Sequence, residues 1–208
     1  MVQYANGAAL KVLGIAGSPR RRGNTEMLLD RFLQGADDVG AEVQKIVAAR
    51  VDVSGCIACD GCWDDGYCIV KDDWQEVYQG LVTADVIALA SPLFFWNVTS
   101  QAKAIIDRCQ SQWARKFVVK RPLPPTAAGH DRRRGVFFCV GGTSRGYFEG
   151  VKETVKDFFL VNEADYWAER LYSDIDAKGE IEDHPTALAD AAELGRRAVE
   201  ESWETSKR

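Results

Sequence analysis

Short apolar runs alternate with segments of helical periodicity along this chain, and that alternation constrains the fold more than any other feature. Leu10–Ala16 (LKVLGIA) is an apolar, β-branched run suited to a buried strand. Asn24–Asp38 then sets Met27, Leu28, Phe32, Leu33 and Ala36 at helical spacing. Glu42–Val47 reads as a second strand, and Asp73–Thr83 as a helix with Asp72 or Asp73 at its N-cap. The same logic gives a third strand at Val86–Ala90, a helix at Ser100–Cys109, a fourth strand at Val136–Val140, and a helix at Phe148–Leu160. A fifth strand at Ala164–Leu171 and a closing helix at Pro185–Thr205 complete the chain. KRPLPPTAAGHDRRRG, ahead of the fourth strand, is rich in proline, glycine and charge and reads as a long loop.

This order predicts an α/β fold: a doubly wound, five-stranded parallel sheet with helices on both faces. At 208 residues the chain is expected to form a single domain, 1–208, with a cysteine-rich loop at about 53–72. Ligands of such sheets sit beyond the carboxyl ends of the strands. The loops that follow strands one to four are therefore where function should lie, and they are the unusual stretches.

The formal charge of −5 gives no general attraction to nucleic acid. No apolar run is long enough to span a bilayer. The opening MVQYANGAALKVLGIAGSPR lacks the basic segment that precedes the apolar core of a secretory signal. A cytoplasmic location is expected, with neither nucleic acid nor membrane as partner. In that reducing setting, clustered cysteines bind metal or do redox chemistry more often than they form disulfides.

After the first strand comes GSPRRRGNT, Gly17–Thr25. It is neither a Walker loop nor GxGxxG, but it offers Ser18, Asn24 and Thr25, a helix start and three arginines, Arg20–Arg22. Unpaired amides and the dipole make that helix start suited to a phosphate. The same residues also fit an ordinary N-cap with the arginines in water. After the third strand, SPLFFWNVTSQAKAIIDR places Phe94, Phe95 and Trp96 in a row. Exposed aromatics need a cover, and a flat ring system would supply one by stacking, although a core or subunit interface would serve too.

GSPRRRGNT, SPLFFWNVTSQAKAIIDR and a late GGTSRG together resemble the flavodoxin-like NAD(P)H-dependent FMN reductases, and with the cysteine cluster most resemble the iron–sulfur flavoprotein branch. The likeness extends from Lys11 to about Leu171. It implies a flavodoxin-like sheet and FMN at the strand ends. By motif position, Ser18, Arg20, Gly23, Asn24 and Thr25 would cradle the phosphate. Pro92, Leu93, Phe94, Phe95, Trp96 and Asn97 would line the ribityl chain and isoalloxazine. Gly141, Gly142 and Gly146 would let the fourth loop approach the ring. Many relatives carry tyrosine where Phe94 stands, so Phe94 is a stacking residue without a hydroxyl.

Four of the six cysteines, Cys56, Cys59, Cys62 and Cys68, fall in CIACDGCWDDGYC with C-x2-C-x2-C-x5-C spacing. Three thiolates so spaced can reach three irons of a cubane, and the fourth can close the site, so one [4Fe–4S] cluster is the consistent reading. Zinc, a disulfide or peroxide switch, and a metal-free thiol loop are the alternatives. Trp63 and Tyr67 could shield a cluster or pack on the sheet. Asp60, Asp64, Asp65, Asp72 and Asp73 would lower its potential or form a solvated rim. Cys109 and Cys139 read as core residues.

The leading expectation is an FMN-dependent oxidoreductase whose cluster passes single electrons, with NAD(P)H or a ferredoxin as donor. The alternatives are a clusterless NAD(P)H-dependent FMN or quinone reductase, and a non-enzymatic redox-sensing or electron-carrier flavoprotein. No catalytic side chain is expected, because flavin carries the chemistry. His130 reads as a surface residue, and His184 as the residue preceding the last helix. Arg132–Arg134 either attract a nicotinamide phosphate or lie in solvent. A homodimer or homotetramer is expected, with the aromatic loop and Pro122–Pro125 as contacts.

Overall fold

Each apolar run does form a strand. The computed structural model describes residues 9–203. Its strands are β1 (Lys11–Ala16), β2 (Glu42–Val47), β3 (Val86–Pro92), β4 (Arg133–Val140) and β5 (Ala164–Tyr172). The helices are α1 (Asn24–Asp37), α2 (Trp74–Thr83), α3 (Ser100–Arg108), the short α4 (Gln110–Trp113), α5 (Glu149–Val161) and α6 (Ala187–Glu200). All five strands run parallel in the order β2-β1-β3-β4-β5. This is the flavodoxin-like order, which reverses between β1 and β3.

Strand alternation divides the core in two. Val12, Val86, Ala88, Val136 and Phe138 face α1 and α6. Leu13, Ile15, Ile87, Leu89, Phe137 and Cys139 face α2, α3 and α5. The α1–α6 contact is backbone against backbone: a Cβ on Gly35 would stand 1.9 Å from the Ala192 carbonyl oxygen, and one on Gly195 would stand 2.0 Å from that of Phe32. Cys109 and Cys139 are buried as expected, and burial pushes the Cys109 thiol up to about 12.

Two expectations need correction. β4 begins at Arg133, not Val136, and Arg133 and Arg134 are buried, not solvated. As consecutive strand residues they point to opposite faces. Arg133 donates to the carbonyls of Leu81 (3.1 Å), Val82 (2.7 Å) and Pro124 (3.1 Å), closing the C-terminus of α2. Arg134 donates to the carbonyls of Ala198 (2.9 Å), in the last turn of α6, and Ser202 (2.8 Å), just beyond it, with its guanidinium 4.2 Å from the Trp203 ring centre. Both serve the negative end of a helix dipole. Arg132 is ion-paired with Asp165 at 2.6 Å.

The second correction concerns the histidines and the last helix. His130 stacks on Trp203 with ring centres 4.0 Å apart, so it is not a bare surface residue. The closing helix starts at Ala187 and ends at Glu200, and positions 204 and 205 of its expected span lie outside the described residues. His184 Nδ1 accepts from the amides of Ala187 (3.1 Å) and Thr186 (3.3 Å), which holds that helix start. Among the described residues, no helix is long and apolar enough to cross a membrane.

Candidate functional site

The switch between β1 and β3 opens a crevice at the strand ends. From the loop after β1 come Ser18, Arg20, Gly23, Asn24 and Thr25; from β3 come Pro92, Leu93 and Phe94; from β4 and its loop come Val140 and Gly142. Nine residues expected at a cofactor therefore meet at one place. Ile175, Asp176 and Lys178, which follow β5, form a wall that was not anticipated from the sequence.

The floor is built by short-range bonding. Ser18 Oγ accepts from the Arg20 amide at 3.1 Å, tightening the turn. Gly23 sits at the N-cap of α1, where a Cβ would come within 3.1 Å of both Ser18 Oγ and the Arg20 carbonyl oxygen. Glu26, in the first turn, accepts from the Arg22 amide and bridges to Lys45 at 2.8 Å. Burial alone would push the Glu26 carboxyl up, yet Lys45 and the Arg22 amide hold it below its ordinary value. The helix start presents its N–H groups toward the crevice, the arrangement that favours an anion.

Asn24 lines the crevice, and its side chain has bonds of its own. Its Nδ2 donates to the Ala177 carbonyl (2.9 Å), and its Oδ1 accepts from Gly179 (2.9 Å) and Ile181 (3.3 Å). The side chain thus pins the loop after β5 over the helix start. Arg20 Nη1 donates to the Asp176 carbonyl at 3.1 Å, joining the same two loops.

The aromatic run divides. Phe94 lines the crevice, whereas Phe95 is 99% exposed and Trp96 leans edge-on against Tyr147 with ring centres 5.0 Å apart, outside the lining. Asn97 also turns away, donating to Thr154 Oγ1 at 3.0 Å. Of the glycines after β4, Gly142 borders the crevice beside Asp176, while Gly141 packs near Leu93 and Gly146 takes a φ of +48° in the loop. Below, Thr99 caps α3 by accepting from the Ala102 amide at 3.2 Å and donates to the Gly17 carbonyl, so α3 is tied to the floor.

A second, smaller cavity lies in the loop between β2 and α2. Cys56, Cys59, Cys62 and Cys68 all line it, with Ile57, Ile69 and Val70 as apolar neighbours. Ala58 and Asp60 take positive φ values of 52° and 56°, coiling the chain between the first three cysteines. The Ala58 amide donates to Cys56 Sγ at 3.4 Å. Burial raises the Cys62 thiol above its ordinary pKa, and the nearby thiols of Cys56, Cys68 and Cys59 add to the rise. Among the described residues, no three His, Cys, Asp or Glu side chains gather closely enough to hold one metal ion.

Trp63 and Tyr67 are half-exposed; Tyr67 meets Tyr78 edge-on at 5.7 Å and lies under the Arg115 guanidinium at 5.4 Å. The acidic residues are largely structural. Asp72 pairs with Arg108, Asp73 accepts from the Asp52 amide at 2.7 Å, and Asp65 accepts from the Tyr67 amide at 2.9 Å.

Comparison with known proteins matches this geometry. The family model described as NADPH-dependent FMN reductase matches residues 10–169. An iron–sulfur flavoprotein of Methanocaldococcus jannaschii is 36% identical over 156 residues, covering 74% of this chain and 73% of the relative. One from Methanosarcina thermophila is 29% identical over 153 residues, covering 74% of each. Among solved structures, an NAD(P)H:quinone oxidoreductase from Methanothermobacter marburgensis superposes with a TM-score of 0.68 over 91% of this chain and 96% of that one, at 16% identity.

Proposed function

The chain belongs to the NADPH-dependent FMN reductase family, in its iron–sulfur flavoprotein branch, and on that premise we propose that it exchanges electrons between FMN in the strand-end crevice and a [4Fe–4S] cluster on Cys56, Cys59, Cys62 and Cys68. Flavin-dependent oxidoreduction itself is the activity of the family. The observation that carries the reading is the meeting, in one crevice, of an anion-favouring helix start with Phe94 and the backbone around Pro92 and Gly142. An FMN needs that combination of a charged cradle at one end and an apolar face at the other.

Bound FMN supplies two-electron acceptance with release of single electrons. The chain's part is to bind, orient and exclude water. The amides of Asn24 and Thr25 and the Arg20 guanidinium hold the phosphate, with Ser18 and Gly23 shaping the turn beneath. Pro92, Leu93 and Phe94 would wall the ribityl chain and ring, with Gly142 at the crevice border, where Asp176 packs against it. Trp96 with Tyr147 forms the rim, and the bare Phe95 ring is the surface that a second copy in a homodimer or homotetramer covers.

The cysteine cavity suits the cluster by its donor chemistry. A single zinc ion requires its sulfurs about 2.3 Å from one centre, whereas a cubane meets each thiolate at a separate iron, around a cage-sized space. Four thiols spread around one apolar-lined cavity favour the latter. External electrons come from NAD(P)H or a ferredoxin, and a quinone is the simplest small acceptor.

The test is the absorption spectrum of protein purified without oxygen, with iron and sulfide counts. Flavin bands beside a broad absorption that bleaches on reduction are expected, and Cys59→Ser should remove the iron while leaving the flavin. Flavin without iron would remove the cluster from the proposal. Protein that takes up no FMN would end it altogether.

A further inference from the structure

Arg108, at the C-terminus of α3, is a cation buried in the wall of the cysteine cavity, with its side chain 1% exposed. Its guanidinium bonds both ends of the loop. It donates to the Ser54 carbonyl at 3.2 Å, two residues before Cys56, and to the Val70 carbonyl at 3.5 Å, two residues after Cys68. Asp72 accepts from both Nη atoms, one of them at 3.0 Å, and the Trp74 ring centre lies 5.4 Å from the charge. Cys68 lines the same cavity as this guanidinium. Its Nε is buried without a hydrogen-bond partner. A desolvated charge with an unused donor is costly unless something negative completes its surroundings.

We propose that Arg108 is the positioning residue of the cysteine site: it closes the base of the loop, sets a buried positive charge beside Cys68, and so raises the reduction potential of the group the thiolates hold, with Asp72 as the opposing charge. The inference rests on the cluster reading given above. The reasoning is electrostatic. Adding an electron to a thiolate-ligated cluster adds negative charge, and a nearby buried cation stabilises the reduced form more than the oxidised one. Asp72, partly neutralising that cation, acts in the other direction.

Arg108 also explains how the loop reaches the flavin side of the fold. Thr99, at the opposite end of α3, is bonded to Gly17 under the crevice. One helix therefore ties the phosphate floor to the cysteine loop. A second guanidinium, Arg115, continues the clamp where it packs against Gly66 and Tyr67.

The experiment is a spectroelectrochemical titration of anaerobically prepared, FMN-loaded protein, comparing wild type with Arg108→Gln, Arg108→Lys and Asp72→Asn. FMN content reports that each variant is folded. Arg108→Gln should lower the cluster midpoint by about a tenfold change in the reduction equilibrium, roughly 59 mV for one electron. Arg108→Lys should recover most of that shift, and Asp72→Asn should move the midpoint upward. A merely structural role predicts no such opposition of sign. If Arg108→Gln fails to assemble the cluster, Asp72→Asn decides, and an unchanged or lowered midpoint there overturns the proposal. Iron-free wild-type protein would overturn it together with the cluster reading, whereas wild-type protein with a cluster but variants of equal midpoint would overturn this inference alone.

Discussion

Phe94 and Asn97 exchange both backbone hydrogen bonds, 2.8 Å from the Phe94 amide to the Asn97 carbonyl and 2.9 Å in return. Phe95 and Trp96 are left as the whole of a two-residue turn, with φ values of +46° and +64°. Asparagine and glycine usually hold such turns, since a Cβ crowds the backbone at positive φ, costing about 1–2 kcal/mol per residue. Backbone strain of this kind tends to collect at functional sites, and here it lifts aromatic rings beside the crevice.

Phe95→Asn should accordingly stabilise flavin-free protein by about 1 kcal/mol, read from urea unfolding midpoints at low protein concentration. Trp96→Asn should gain less, because it also removes the edge-on contact with Tyr147. Equal or lower stability for Phe95→Asn would show that the turn is not strained.

Arg20 is a cation at the crevice floor, with Lys178 on the wall. Removing it as Arg20→Ala should weaken FMN binding about 10- to 100-fold, the range for a charged hydrogen bond of about 1.5–3 kcal/mol. Riboflavin, which has no phosphate, should bind both proteins alike. Fluorescence titration with the two ligands separates these effects, and a parallel loss of riboflavin affinity would place Arg20 elsewhere in the site.

Asn24 links residues far apart in sequence through its three bonds to Ala177, Gly179 and Ile181. Asn24→Ala should cost about 2–3 kcal/mol through the groups left unpaired. It should also speed amide exchange at Gly179 and Ile181 before exchange elsewhere. Asn24→Asp keeps both acceptor bonds and should lie between. Uniform exchange across the protein in Asn24→Ala would argue against a local latch.

Acid should act through Asp72. Burial alone would raise its carboxyl, but the Arg108 fork and the Trp74 amide hold it below its ordinary value of 3.8. A carboxyl depressed in the folded state contributes stability that is complete above its unfolded pKa and is lost as pH falls through the folded one. Asp72→Asn should therefore cost about 3 kcal/mol at neutral pH. The gap from wild type should begin to narrow as pH drops below 3.8. A gap that stays constant to the acid limit would contradict the linkage.

The central strands β1, β3 and β4 were legible because burial on both faces leaves an apolar run that needs no knowledge of its neighbours, whereas the edge strand β2 is largely exposed. Glu42–Val47 was read to the residue, and Val86–Ala90 fell short of the observed strand end at Pro92. The start of β4 was missed because Arg133 and Arg134 look like solvated charge. They are buried because two helix C-termini, one on each face, present carbonyls to them. Nothing near those arginines in sequence announces the ends of α2 and α6.

The site followed the same division. Loop chemistry pointed to Ser18, Arg20 and Phe94, and the family resemblance to Gly23, and all four line the one strand-end crevice. That Phe95, Trp96 and Asn97 turn away while Ile175, Asp176 and Lys178 close the wall was settled by packing. Periodicity reports which face of an element avoids water. Which loops then confront each other depends on the order of strands in the sheet, and that order brings Asn24 to Gly179 and Arg108 to Ser54 through contacts no local pattern encodes.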